Sequence, residues 1–174
     1  MFEALLKLRD AGKIRHIGVS NFSVEQIREA ETIAPIVSLQ SRYNLLQREV
    51  EQGELPYAAE RGIGFIPYSP IAQGLLTGKF GARNKPSGQD VRAQLNPLFE
   101  EKAYEDSVRK AQALKVYADK YGRSSGQVAI NWLLTHPAVT TVIVGAKNAA
   151  QVRDNAAAAE WKLSAEDVGE ISRL

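Results

Sequence analysis

The chain has 174 residues, of which 44% are hydrophobic and 24% are charged. This length fits one ordinary domain, and this composition is typical of a globular protein that can bury a core. Its 22 Lys and Arg residues nearly balance its 20 Asp and Glu residues, which argues against nucleic acid or an acidic membrane as a partner. The absence of cysteine excludes disulfides, thiolate metal sites and a cysteine nucleophile.

Targeting and metal-binding patterns are weak. No apolar run reaches the roughly 18 residues that a membrane helix needs. The first four residues form neither a basic nor an apolar signal region, so we expect no secretory signal and a cytoplasmic protein. The two histidines, His16 and His136, are far apart in the sequence and have no cysteine near them. They are poor candidates for metal ligands, and we predict no metal site.

The chain begins with a helix, a strand and a second helix. Apolar residues at helical spacing predict a helix over residues 2–9, and residues 14–19 predict the first strand. Ser23 followed by Gln26 is a capping box, which predicts the start of the next helix. Pro35 marks the point by which that helix has ended.

A second strand, a short helix and a third strand follow. Residues 36–40 predict the second strand, and the short helix ends at Gly62. Residues 64–69 predict the third strand. Pro67 lies within it and cannot donate a hydrogen bond to a neighbouring strand, which indicates a strand end or a bulge.

A long polar stretch separates the third strand from the remaining elements. Residues 81–103 have no regular pattern, which is typical of a functional or mobile loop. Apolar residues three and four apart then predict a long helix over residues 104–121. Ser124 followed by Gln127 is a second capping box and predicts the start of another helix.

The last part of the chain repeats the order of strand and helix. Residues 140–144 predict a fourth strand, and helices follow from about residue 149 and from Ser164. Such alternation indicates parallel strands joined by right-handed crossovers. We therefore predict a single α/β domain over residues 1–174, with four parallel strands, half the number in a closed (β/α)8 barrel.

Ligands of parallel α/β proteins bind at the C-terminal ends of the strands, where several polar residues lie in this sequence. Ser20 and Asn21 follow the first strand and Gln40 ends the second, and such groups suit a carboxamide or a hydroxylated ligand. Each residue alone is more often a turn or cap residue. Tyr68 ends the third strand, where its ring could stack on a flat heteroaromatic ring or simply be a half-buried aromatic at the rim.

Two further segments indicate anion binding. Gly74 and Gly78 allow backbone N–H groups to approach an anion closely, and Lys79 adds a charge, although the spacing is not that of a Walker loop. Gly145 and Lys147 follow the fourth strand directly before a helix, an arrangement that predicts a phosphate site. Polar residues at helical spacing follow and either contact a nucleobase or form an ordinary exposed face: Gln151, Asp154 and Asn155.

Four segments in chain order resemble the C-terminal half of the aldo-keto reductases, NADP-dependent enzymes that fold as a (β/α)8 barrel. The segments are residues 13–22, 40–44, 67–79 and 144–155. The resemblance covers essentially the whole chain, and it implies half of a TIM-type barrel. It also implies that the loop at residues 81–103 covers the cofactor.

The resemblance implies a role toward NADP for each part of this site. Ser20, Asn21 and Gln40 would hold the nicotinamide carboxamide, and Tyr68 would stack on the nicotinamide ring. The residues that would line the pyrophosphate are Ser69, Pro70, Ile71, Gly74, Leu75, Gly78 and Lys79. Those that would surround the 2′-phosphate are Gly145, Ala146 and Lys147, and those that would reach the adenosine are Gln151, Asp154 and Asn155. Asp154 stands where the family more usually has glutamate, and Ile71 where it has leucine.

The catalytic Asp, Tyr, Lys and His of the family have no match in this chain. They belong to the first four strands of the barrel, and Tyr43, Tyr68 and His16 do not correspond to them. We therefore expect an NADP(H)-binding half that has no catalytic residue and is inactive alone. A small aldehyde or ketone would be its substrate only if the other half were supplied. The alternative is a non-enzymatic nucleotide-binding or regulatory module.

Half of a barrel would also lack partners for its edges. Four strands would leave two open edges and an uncovered apolar interior, and such surfaces favour association. We therefore predict a homo-oligomer, or pairing with a separate N-terminal half.

Overall fold

A computed structural model describes residues 1–81, 84–86, 89, 90, 94 and 96–174 of the chain. Its strands are β1 (Gly18–Ser20), β2 (Ser38–Arg42) and β3 (Gly64–Tyr68). The α-helices of the described residues are α1 (Phe2–Asp10), α2 (Val24–Glu31), α3 (Glu54–Arg61), α4 (Glu101–Tyr121), α5 (Ser125–Leu134), α6 (Ala149–Ala156) and α7 (Ala165–Ile171). Short 3-10 helices cover Glu49–Gln52, Ala72–Thr77, Pro97–Phe99 and Ala157–Ala159. Within these ranges, none of the helices has the length and apolar character needed to cross a membrane.

The strands form a parallel sheet in the order β1-β2-β3, which confirms the predicted α/β class. Gly18 pairs with Ser38, and Ser38 pairs with Gly64. Because all three strands run in the same direction, their C-terminal ends meet at one edge of the sheet. The loops that follow the strands, where the sequence placed its candidate site, therefore lie side by side.

The prediction of a regular fourth strand at residues 140–144 is wrong. The chain passes beside β3 there, but it pairs only through two isolated bridges, Phe65 with Val139 and Tyr68 with Ile143. The two bridges are three residues apart in β3 but four residues apart in the neighbouring segment. That segment therefore contains one extra residue between the bridges. The described residues thus contain three strands and a bulged segment beside β3.

Pro67 gives the physical reason for the bulge. The N–H of Phe65 donates to the carbonyl of Ala138 over 2.8 Å. The backbone nitrogen two residues later faces the same neighbour, because alternate residues of a strand face the same way. That nitrogen belongs to Pro67 and has no hydrogen to donate, so the regular ladder ends at this point. The sequence correctly indicated the irregularity but not that it would disrupt the neighbouring segment.

Two strand boundaries also differ from the prediction. β1 begins at Gly18 rather than at residue 14, and β2 covers residues 38–42 rather than 36–40. The register of Gly18 with Ser38 would place residues 14–17 opposite residues 34–37. That stretch contains Pro35 and follows α2 closely, so it offers no regular ladder.

One face of the sheet packs on the helices. Leu39 and Phe65 are fully buried there, in a core with side chains from α2, α3, α4 and α5. The opposite face is only partly covered and is mainly small or polar, with Ser38, Gln40, Arg42, Gly64, Ile66 and Tyr68. The expectation of an uncovered apolar interior is therefore wrong for this face.

Candidate functional site

A groove of about 880 Å³ opens beside the C-terminal end of β3. It lies between the turn that follows β3 and the start of α6. The predicted site residues that line it are Tyr68, Ser69, Pro70, Ile71, Gly74, Lys79, Gly145, Ala146, Lys147, Gln151, Asp154 and Asn155. Thr77 and Asp90 also line it, and they lie within the predicted pyrophosphate segment and the predicted covering loop. The other lining residues were not predicted: Gln73, Ser124, Gly126 and Ile143. Ser124 and Gly126 reach it because α5 begins beside α6, a tertiary contact with no local sequence signal.

The remaining predicted residues lie around this groove rather than in its lining. The backbone N–H of Asn21 donates to the carbonyl of Gln40 over 2.9 Å. The hydroxyl of Tyr68 donates to Oδ1 of Asn21 over 3.1 Å. These bonds join the ends of the three strands, with Ser20 next to Asn21 at the end of β1. Leu75 is only 1% exposed, so its side chain belongs to the core.

Strained backbone is concentrated at these strand ends. A positive φ is uncommon for residues other than glycine, and it costs about 1–3 kcal/mol unless surrounding contacts stabilise it. The described non-glycine residues with positive φ are Asn21 (56°), Ser69 (55°), Ala72 (47°) and Gln73 (54°). All of them follow β1 or β3. Such residues cluster at binding sites in other proteins, which favours a functional role for this edge of the sheet.

Gly74 allows Lys79 to lie across the turn. Its φ is 97°, and a Cβ added there would lie 2.7 Å from Cε and 2.8 Å from Nζ of Lys79. Nζ of Lys79 also lies 4.9 Å from the ring centre of Phe80. The left-handed φ favours glycine here, whereas the flexible end of the lysine side chain would only have to move to admit a Cβ. The arrangement brings a cation to the groove.

The start of α6 is partly capped by its own side chains. Oδ1 of Asn148 accepts a hydrogen bond from the N–H of Gln151 over 2.9 Å. Oε1 of Gln151 accepts one from the N–H of Lys147 over 2.7 Å. Two backbone donors that an anion could use therefore have internal partners. The exposed Lys147 stands at the positive end of the helix dipole.

Asp154 joins α6 to the start of α5. Its Oδ2 accepts a hydrogen bond from Oγ of Ser124 over 3.0 Å, and its Oδ1 accepts one from Nε2 of Gln127 over 2.7 Å. Oγ of Ser124 accepts from the N–H of Gln127, as the second capping box predicts. The side chain of Gln127 turns to Asp154 instead of back to Ser124, and its Oε1 has no hydrogen-bond partner among the described residues. That capping box is thus only half formed, unlike the complete one at Ser23.

Tyr43 lies outside the groove lining, and its hydroxyl is bonded to another side chain. It is 3% exposed, and its hydroxyl donates to Oε1 of Glu51 over 2.7 Å. Burial, and then this hydrogen bond, raise the pKa of Tyr43 far above its usual value. Burial disfavours ionisation of Glu51, but hydrogen bonds from Arg48 and Tyr43 outweigh it and lower the pKa of Glu51. The described residues contain no group of three His, Asp or Glu side chains placed to hold a metal ion.

The predicted loop at residues 81–103 is described only in part. Asp90 lines the groove, a short helix covers Pro97–Phe99, and α4 already begins at Glu101, so the loop is shorter than predicted. The prediction that this loop covers the cofactor falls partly outside the described residues, which do not include 82, 83, 87, 88, 91–93 and 95.

Comparison with known proteins identifies the family. The model of the Aldo/keto reductase family matches residues 1–174. The chain belongs to the aldo-keto reductase family. It is 35% identical over 173 residues to the aldo-keto reductase YhdN of Bacillus subtilis, covering 99% of this chain and 52% of that protein.

Other relatives carry different descriptions. The chain is 36% identical over 157 residues to a probable voltage-gated potassium channel subunit beta of Arabidopsis thaliana, covering 84% of this chain and 47% of that protein. Its fold is similar to that of the glycerol dehydrogenase of Gluconobacter oxydans, with a TM-score of 0.88 and 32% identity over 98% of this chain and 52% of the other. The chain spans about half the length of the curated relatives it matches.

We expect Gly74→Ala to lower the free energy of unfolding by about 1–3 kcal/mol, because the new Cβ must hold a left-handed φ and displace Lys79. Urea unfolding measures this change. Gly145→Ala is the matched control, because it also lines the groove and a Cβ there has no heavy atom within 4 Å. The control should change stability by less than about 0.5 kcal/mol, and equal losses in the two variants would contradict the account of Gly74.

Proposed function

We propose that this chain binds NADP(H) in the groove and is the coenzyme-binding part of a carbonyl reductase. When bound, the coenzyme exchanges a hydride with the carbonyl carbon of an aldehyde or ketone. Membership of the aldo-keto reductase family supports the proposal. The observation that carries it is the groove itself, whose lining contains most of the residues for which the family resemblance implies coenzyme contacts.

The chemistry of the groove fits a phosphorylated dinucleotide. Its volume of about 880 Å³ lies within the usual range of ligand sites, about 300–1,000 Å³. Tyr68 offers an aromatic ring, and Lys79 and Lys147 offer separate cations for phosphate groups. The carboxylate of Asp154 already accepts hydrogen bonds from α5 on both oxygens. These hydrogen bonds hold the carboxylate toward α5 and reduce its electrostatic repulsion of an anionic ligand.

Each part of the groove and of its surroundings has a separate role in this proposal. Asn21 and Gln40, with Ser20, hold the carboxamide, and the hydrogen bond from Tyr68 to Asn21 fixes the tyrosine beside them. The turn after β3 lines the pyrophosphate with its backbone and Lys79. Lys147 contacts the 2′-phosphate, and the face of α6 approaches the adenosine. In α6, Asp154 and Gln151 also retain lone pairs for a ligand, because a carboxylate or amide oxygen accepts more than one hydrogen bond.

We expect the chain to bind NADPH about ten- to a hundredfold more tightly than NADH, because Lys147 adds a charge-assisted contact to the 2′-phosphate. Fluorescence titration of the two coenzymes measures the ratio. Lys147→Glu should abolish or reverse it. Lys162→Glu makes the same change of charge at an exposed residue outside the groove lining and should preserve the ratio within about twofold. Equal affinities of the unaltered chain for the two coenzymes would overturn the role of Lys147.

We further propose that the chain corresponds to one half of a (β/α)8 barrel and supplies no acid for carbonyl reduction. The similarity to the glycerol dehydrogenase, which covers 52% of that chain, supports this correspondence. The hydroxyl of Tyr43 is buried and bonded to Glu51, which argues against that residue as a proton donor. The second candidate function is a regulatory, non-enzymatic module, favoured by the similarity to the probable channel subunit of Arabidopsis.

We expect the chain alone to give no carbonyl-dependent oxidation of NADPH, because a positioned acid contributes about a hundred- to ten-thousandfold in rate. The decrease in absorbance at the NADPH band, measured with a panel of aldehydes and ketones, tests this. Turnover by the chain alone would show that it contains the acid. Binding of NADPH without turnover would agree with both the half-enzyme and the regulatory module.

We propose that a second polypeptide, either another copy or a separate N-terminal half, covers the open edges of the sheet. Among the described residues β1 pairs only with β2, and its Gly18 and Ser20 are exposed. At the other side Ile143 is 45% exposed beside β3. Exposed edges of this kind favour pairing with another chain.

We expect the purified chain to form particles larger than a single chain, because association would cover these edges. Light scattering coupled to size exclusion measures the mass. A monodisperse particle with the mass of one chain would contradict association between copies and would leave the separate half as the partner to be tested by mixing.

A further inference from the structure

Asn44 is a buried amide whose polar groups are all engaged. It is the second residue after β2, is 0% exposed and does not line the groove. Its Nδ2 donates to the carbonyl of Ser69 over 3.0 Å and to Oε1 of Gln47 over 3.1 Å. Its Oδ1 accepts from the N–H of Leu46 over 3.0 Å. The side chain therefore connects the end of β2 to the turn that follows β3.

The carbonyl of Ser69 accepts two hydrogen bonds at the start of that turn. It accepts the bond from Asn44 and a second one, over 2.9 Å, from the N–H of Ala72. Two donors use both lone pairs of a carbonyl oxygen, which fixes the orientation of its peptide group. The next residue is Pro70, which has no N–H through which this peptide could be held.

The turn needs this support because its backbone is strained. Ser69, Ala72 and Gln73 all have left-handed φ values between 47° and 55°. Such conformations persist only where surrounding contacts stabilise them. The side chains of Leu75 and Leu76, both within the core, hold the far end of the turn. Asn44 holds its near end, at the residue next to Tyr68.

We infer that Asn44 is a positioning residue for coenzyme binding, which acts by holding the Ser69 carbonyl and thereby the turn from Ser69 to Gly74. The inference rests on the proposed NADP(H) site. Its effect falls on the nicotinamide and pyrophosphate side of the groove. The 2′-phosphate side is formed by α6 and Lys147, and its described hydrogen bonds do not involve Asn44.

This division of the groove defines the experiment. The chain and its Asn44→Ala variant are titrated calorimetrically with NADPH and with 2′,5′-ADP. This probe has the 2′-phosphate, the adenosine and a single 5′-phosphate in place of the pyrophosphate, and it has no nicotinamide. We expect the variant to weaken NADPH binding about tenfold or more and 2′,5′-ADP binding by less than about twofold. A loss of structure throughout the protein would weaken both ligands alike.

Asn131 provides a matched control. It is 3% exposed, its Nδ2 donates to the carbonyls of Ala158 and Trp161, and its Oδ1 accepts from the N–H of Leu163. Asn131→Ala therefore removes a buried amide with the same hydrogen-bonding pattern at a site that does not touch the turn. It should lower the stability of the fold but leave the ratio of the NADPH and 2′,5′-ADP dissociation constants within about twofold of the original.

The outcomes distinguish the inference from the proposed function. If the unaltered chain binds neither NADPH nor 2′,5′-ADP, the proposed function is wrong. If it binds both and Asn44→Ala weakens both equally, weakens neither, or changes the ratio no more than Asn131→Ala does, the inference alone is overturned. If Asn44→Ala does not fold, Asn44→Ser, which keeps a donor in a smaller side chain, is measured for the same ratio and should show a change in the same direction.

Discussion

The left-handed turn after β3 is the feature on which the whole groove depends. The loops that follow parallel strands all lie at one edge of the sheet, but they form a groove only if they leave the strands in defined directions. From Ser69 to Gly74 the backbone adopts conformations that are unfavourable for most residues. Ala72 and Leu75 are buried in the core, so hydrophobic burial helps to stabilise this strain. Core packing thus holds the turn beside which Lys79 lines the groove.

Pro67 has a second effect, which reaches the opposite wall of the groove. If the register of Phe65 with Val139 continued, Tyr68 would pair with residue 142. The extra residue in the bulge brings Ile143 opposite Tyr68 instead, and a shift of one residue turns alternate side chains to the other face. Ile143 accordingly lines the groove, whereas Val142 packs against the core. One missing hydrogen in β3 therefore determines which side chain stands beside the tyrosine.

Features specified by local sequence were predictable, and those that need a partner element were not. The helix caps at Ser23 and Ser164 depend on residues three positions apart, and both form as expected. Most of the residues that line the groove follow strand ends, which the sequence indicates directly. By contrast, the start of β1 depends on whether its neighbour can pair with it. Gln127 does not complete its capping box, because its side chain turns to donate through Nε2 to Asp154 on another helix. Asn44 lies in the segment 40–44 that resembles the family, but its bond to Ser69 has no local signal, since the two are 25 residues apart in the sequence.

The start of α6 shows how such tertiary and local preferences affect ligand recognition. A helix N-terminus binds anions through free backbone donors and through its dipole. Here Asn148 and Gln151 already use two of the donors, so an incoming phosphate gains less from the backbone than the bare motif implies. An anion that approached the N–H of Lys147 would have to displace the side chain of Gln151 and offset the bond it loses. The charge of Lys147 and the helix dipole require no such displacement. Discrimination between coenzymes with and without a 2′-phosphate should therefore depend on this single lysine more than on the glycine-rich backbone around it.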